Sequence, residues 1–199
     1  MPRQLHVFER PRRFVAGTVG TPGERTFYLQ AADGVRTVSV ALEKQQVVVL
    51  ADRLEQLIEE VASRTGRDLS AVSGALDTDA LEVPLDEEFR VGAMGLAWDD
   101  DAGLVVIEAQ APVEDTSVAQ DTLLEDVEDG PDALRVRIEP ADVRAFVERA
   151  RRVVAAGRPP CPLCGLPMTT EGAGGEPGGP TGHVCPRQNG YHRGPVTPP

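Results

Sequence analysis

The sequence predicts an α+β protein built from two successive β-β-β-α units, with helices packed on antiparallel sheet or sheets and a small C-terminal zinc-knuckle tail. Three observations carry this reading. In two stretches, 13–66 and 89–157, the apolar period changes from two to between three and four. Turn residues rich in Pro, Gly and Asp cut the period-two parts into short strands. All three cysteines lie beyond residue 157, in a segment so rich in Pro and Gly that burial alone would not fold it.

The first unit opens with Arg13–Gly20 and Arg25–Ala32, two β-branched or aromatic runs separated by Thr21-Pro22-Gly23-Glu24, a hairpin signal. Ala32-Asp33-Gly34 breaks the chain again, and Thr37–Leu42 alternates as a third strand. Val47, Leu50, Leu54, Leu57, Ile58 and Val61 then fall at spacings of three and four, the stripe of a helix that Gly66 closes. The β-branched Val47–Val49 leave its start open.

The second unit follows a polar stretch, Arg67–Glu88. Phe89–Trp98 and Gly103–Ala111 flank Asp99-Asp100-Asp101-Ala102 as a second hairpin, and Leu134–Ile138 alternates as a strand. Pro140 suits a first helical turn, Val143, Phe146, Val147, Ala150 and Val154 form the stripe, and Gly157 ends it. Between them, Pro112–Ala133 holds eight acids and no base, and reads as a solvated, mobile insertion. The domain assignment is 1–157 for the α+β body and 158–199 for a Cys/His zinc-binding tail.

Composition excludes several classes. The 199 residues carry a net charge of −12, which opposes a dedicated nucleic-acid binder. That charge is a block: residues 1–42 carry +3, residues 43–132 carry −19 and residues 133–199 carry +4. No apolar run approaches the about 18 residues of a membrane span, and Met1–Gln4 opens no apolar leader. Three cysteines do not make a disulfide framework. A cytoplasmic protein is the expectation.

The tail carries the strongest chemistry. In Cys161-Pro-Leu-Cys164-Gly, amides after the first Cys point at its sulfur and favour the thiolate, while Gly165 closes the knuckle without a Cβ clash. Gly182-His183-Val-Cys185-Pro supplies a third thiolate, and His183 shares a face with Cys185 in extended chain. Cys161, Cys164, His183 and Cys185 therefore form the expected zinc set, with His192 the alternative fourth ligand. Four protein ligands make a structural ion, and three thiolates with one imidazole favour zinc over iron. A redox pair is disfavoured because no helix follows the Cys-x-x-Cys.

Other candidates are weaker. Gly17, Gly20 and Gly23 lack the phosphate-loop pattern and read as a turn. Asp99–Asp101 reads as a solvated turn, and Arg144, Arg149, Arg151 and Arg152 as a solvated basic face. Arg25, Glu43, Lys44 and Gln46 form a candidate polar anion pocket where a strand hands over to a helix. Lys44 is the chain's single lysine. The three His offer no Ser/His/Asp or Cys/His arrangement, so no catalytic residue is assigned.

Pro11–Ala31, Val40–Gln46, Phe89–Asp99 and the CPLCGLP…GHVCPRQNGY ending together resemble the actinobacterial domain-of-unknown-function family 3090. The resemblance covers nearly the whole chain. It implies no activity. It does imply membership of a trio, whose other two members resemble a lipid-kinase-like protein and a phosphomutase of the histidine-phosphatase type. The family's Gly-His-x-Cys unit favours His183 over His192. The loop holding Glu171–Gly182 is longer than the family's usual spacing, a departure whose closure cost grows only logarithmically.

The expected function is therefore a zinc-binding, non-catalytic adaptor or regulatory subunit acting with a kinase-like and a phosphomutase-like partner. One alternative is a ligand-binding protein or enzyme acting on a phosphorylated metabolite through Arg25, Glu43, Lys44 and Gln46. A zinc-ribbon nucleic-acid binder is the other.

Overall fold

A computed structural model describes residues 3–156, apart from 22, 71–75 and 115. The chain divides into a unit Met1–Ala155 and a unit Ala156–Pro199. Beyond Ala156 the tail lies outside the described residues, and with it the proposed ligands Cys161, Cys164, His183, Cys185 and His192.

The first unit is a mixed α+β fold with two four-stranded sheets. Strands β2 (Arg13–Val19), β3 (Thr26–Asp33), β4 (Arg36–Leu42) and β5 (Glu87–Arg90) make one sheet in that order. The other runs β1-β8-β7-β6, from β1 (Leu5–Glu9), β6 (Ala93–Asp99), β7 (Leu104–Gln110) and β8 (Ala133–Ile138). Helices α1 (Lys44–Thr65) and α3 (Pro140–Ala155) pack on each other, while α2 (Thr116–Thr122) is a short helix within the acidic stretch.

The three strands and helix expected in each half are present, β2-β3-β4-α1 and β6-β7-β8-α3. The sheets are not purely antiparallel, however. β1 runs parallel to β8, with Leu5 opposite Ala133, and β5 runs parallel to β4 with a register shift between Ser39 and Ala41. The strand expected over Phe89–Trp98 is interrupted where the chain changes sheets. Val91 N–H donates to the Ala41 carbonyl of β4 at 2.7 Å, and the next amide, Gly92, donates to Gln110 of β7 at 2.8 Å. A side chain at Gly92 would meet Pro112 Cα at 2.5 Å, so the crossing closes only on glycine.

Both helices bury the stripe their spacing predicts. Val47, Leu50, Leu54, Ile58 and Val61 of α1 are buried, and Leu57 is half-buried at the edge of the core. In α3, Val143, Phe146, Val147 and Ala150 are buried, and Phe146 stacks on Phe14 of β2 with ring centroids 4.8 Å apart. Gly66 ends α1 in the left-handed region at φ 66°, its amide donating to Ala62 at 2.9 Å. One core joins the two sheets through Phe8, Leu29, Val40 and Ile107.

Candidate functional site

The topology brings Arg25, Glu43, Lys44 and Gln46 to one end of the β2–β5 sheet. β3 and β4 are antiparallel with Phe27 opposite Leu42, so the residue before Thr26 and the residues after Leu42 share that end. Two of the four are occupied in starting α1. Glu43 N–H donates to Gln46 Oε1 at 2.8 Å, and Gln46 Nε2 donates to the Val91 carbonyl at 3.1 Å. Glu43 also pairs with Arg90 at 3.0 Å. Lys44 is exposed, and Arg25 Nε is buried without a hydrogen-bond partner. Among the described residues no hydrogen bond or ion pair joins Arg25 or Lys44 to the other two.

The remaining sequence candidates are closed by their own bonds. Glu24 N–H donates to Thr21 at 3.0 Å, with Gly20 and Gly23 at positive φ, so Gly17–Gly23 holds a strand end and a turn. Asp99 Oδ1 accepts from the Asp101 and Ala102 amides at 3.1 and 2.9 Å. The Ala102 amide and the nearby Arg137 hold its carboxyl below the usual carboxylate range. The arginines expected as a solvated face on α3 are largely engaged. Arg144 bonds the Leu69 carbonyl, Arg149 is buried, and Arg151 pairs with Glu55 at 2.6 Å.

Two buried ionic clusters were not visible in the sequence. Glu108, on β7, is fully buried, and both its oxygens are used. Oε1 accepts from Arg3 at 2.6 Å, Gln110 at 2.8 Å and the Leu124 amide at 3.2 Å, while Oε2 accepts from Arg135 at 2.6 Å. In the second cluster, Arg149 is 6 % exposed and reaches Ala16, Asp77 and Asp79. Arg13 holds the same Asp77 carboxylate at 2.6 and 3.0 Å. The Arg13 hydrogen bonds keep Asp77 below the usual carboxylate range against the opposing effect of burial, which in turn lowers Arg149. Among the described residues no group of three or more His, Cys, Asp or Glu could hold a metal ion. No described helix is long and apolar enough to cross a membrane.

The sequence profile of DUF3090, a family of proteins of unknown function, matches residues 6–185. The chain belongs to the DUF3090 family. Comparison with curated proteins and with solved structures returned no match. The matched span reaches Cys185 and stops before His192.

This DUF3090 chain has two open features that sequence reading missed. On the outer face of the β1-β8-β7-β6 sheet, Leu123 and Leu124 lie over Gly95, where a side chain would meet Leu123 Cγ at 2.7 Å. Beside them a hollow of about 370 Å³ is lined by Leu5, Val7, Ala97 and Val106, with Arg135 and Arg137 among its polar residues. On the other side of that sheet a groove of about 470 Å³ runs between α1 and β6, lined by Val49, Arg53, Leu57, Glu60, Met94 and Leu96. Val49 is 44 % exposed there. The alternation of β6 did signal two faces, but not that α1 would leave one flank uncovered.

Proposed function

We propose that this DUF3090 protein is a non-catalytic adaptor or regulatory subunit whose partners are the kinase-like and phosphomutase-like proteins. One structural zinc, held by Cys161, Cys164, His183 and Cys185, staples its tail. The observation that carries this reading is the Glu108 cluster. Among the described residues the fully buried carboxylate is saturated by Arg3, Arg135, Gln110 and the Leu124 amide, so both its oxygens serve the fold. Its work is to tie the N-terminal strand and the acidic stretch to the sheet. The hollow beside it mixes apolar Leu5, Val7, Ala97 and Val106 with charged Glu9, Asp126, Arg135 and Arg137, a make-up compatible with protein docking.

The experiment is affinity capture by the full chain with the purified kinase-like and phosphomutase-like proteins, comparing wild type with a C161S/C164S double variant and measuring metal on both. Retention of either partner by the zinc-loaded form alone supports the adaptor reading and makes the tail its docking element. If neither protein is retained by either form, the adaptor reading falls.

A ligand-binding reading keeps one supporting observation, the buried and unpartnered Arg25 Nε at the sheet end where Lys44 stands exposed. A thermal-shift screen of phosphorylated metabolites tests it. Stabilisation that Lys44→Ala abolishes supports the site, and equal shifts in both proteins reject it.

A further inference from the structure

Four strands form the sheet edges, and three of them are protected. At β1 the Val7 carbonyl accepts a hydrogen bond from the Arg36 guanidinium. At β2, which lies against α3, the Ala16 carbonyl accepts from Arg149 Nε at 2.8 Å. β5 is four residues long, carries Glu87, Glu88 and Arg90, and pairs irregularly. Short length, charge and irregularity are the devices that keep an edge from pairing with another chain.

β6 carries a single charge, Asp99 at its far end, and that carboxylate is already held by Arg137 and by the Asp101 and Ala102 amides. Ala93-Met94-Gly95-Leu96-Ala97-Trp98 is uncharged, pairs regularly with β7 on one side, and among the described residues receives no hydrogen bond on the other. Alongside it, α1 runs in the same direction. Gln46 bonds Val91 at the start of β6, and Arg64 meets Asp100 at 3.2 Å at its end. Arg53 and Glu60, both exposed, line the groove between them; Arg53 donates to Gln56 at 3.2 Å, and among the described residues neither forms an ion pair.

We infer that the occupant of this edge is a second copy of the chain, joined by antiparallel pairing of the two β6 strands about Leu96. A two-fold axis there would set Met94 against Trp98 of the second copy and Gly95 against Ala97, large beside large and small beside small. The same axis makes the two α1 helices antiparallel. Measured from the common start at Val91–Gly92, Leu96 lies about 13 Å along the strand and the midpoint of Arg53 and Glu60 about 16 Å along the helix. The axis therefore brings Arg53 of each copy opposite Glu60 of the other, two complementary pairs generated by one symmetry operation. The charges are self-complementary only in this antiparallel sense. The two sheets merge into one of eight strands. The outer-face hollow lies on the other side of the sheet, so this assembly stands or falls separately from the adaptor reading.

Sedimentation velocity on the full chain tests it, with Arg53→Glu, Glu60→Arg and the double variant R53E/E60R. Each single reversal turns two attractive pairs into two repulsive ones and should weaken the dimer about tenfold, while the double reversal restores it. Circular dichroism should show all three folded, because both residues are exposed. Amide exchange across Ala93–Trp98 should slow as concentration rises. A chain that stays monomeric at about 100 µM overturns the inference. So does a dimer whose affinity ignores both reversals, since it must use another surface.

Discussion

Arg149 of α3 donates to the Asp77 carboxylate at 2.6 Å, and by that bond a helix on one side of β2 holds a loop that the sequence leaves featureless. Arg13 grips the same carboxylate from β2 itself. Because Asp77 is held below its ordinary value of about 3.9, its contribution is complete above about pH 4 and is lost as the pH falls through the depressed pKa. Asp77→Asn should cost about 1.5–3 kcal/mol at neutral pH. It should also flatten the acid limb of stability against pH, measured by urea unfolding from pH 7 downwards.

Glu108→Ala should be more damaging. It leaves Arg3, 1 % exposed, and Arg135, 11 % exposed, without their shared counter-charge inside the sheet. The expected loss is about 3–5 kcal/mol, read from the denaturant midpoint. Replacing Glu108 and Arg3 together by apolar residues should recover part of it, because the buried orphan charge goes as well.

Gln46→Ala and Lys44→Ala should separate cleanly, two residues apart on α1. Gln46 binds both the Glu43 amide and the Val91 carbonyl, and its loss should cost about 1–2 kcal/mol in thermal unfolding. Lys44 is exposed, and its replacement should leave the melting temperature unchanged.

Phe146→Ala removes a ring that is 2 % exposed and stacked on Phe14. A destabilisation of about 3–5 kcal/mol is expected by calorimetry, against a small effect for Phe89→Ala at the core margin.

Periodicity sufficed for the elements that bury one face. The α1 stripe from Val47 to Val61 and the alternation of Thr37–Leu42 both report a face turned inward, and both elements stand where expected. β1 escaped because its partner, Ala133–Ile138, lies more than 100 residues downstream, so no local turn announces the pairing. The start of β5 escaped because Glu87-Glu88 is polar and pairs with β4 through backbone alone, while Phe89-Arg90 fell inside the expected strand without any sign that it would join a different sheet. The acidic stretch reads as unable to bury anything, yet Thr122 is buried and Glu108 draws in the Leu124 amide. A carboxylate in a strand gives no sign that two distant arginines will enclose it. Of the polar cluster, the sequence placed Glu43, Lys44 and Gln46 correctly at a helix start, but not that Glu43 and Gln46 would be used up in making it.

The parallel pairing of β1 with β8 also orders events during synthesis. The β2–β3–β4 meander is complete once residue 42 has left the ribosome, and its contacts are local. β1 has no partner until residue 138 has followed, so Leu5–Glu9 stays without its strand partner while the whole stretch from Arg10 to Asp132 is made. A strand that precedes the meander is thus among the last to be docked, and a nascent chain stalled in the acidic stretch would carry the meander beside an unpaired Leu5–Glu9.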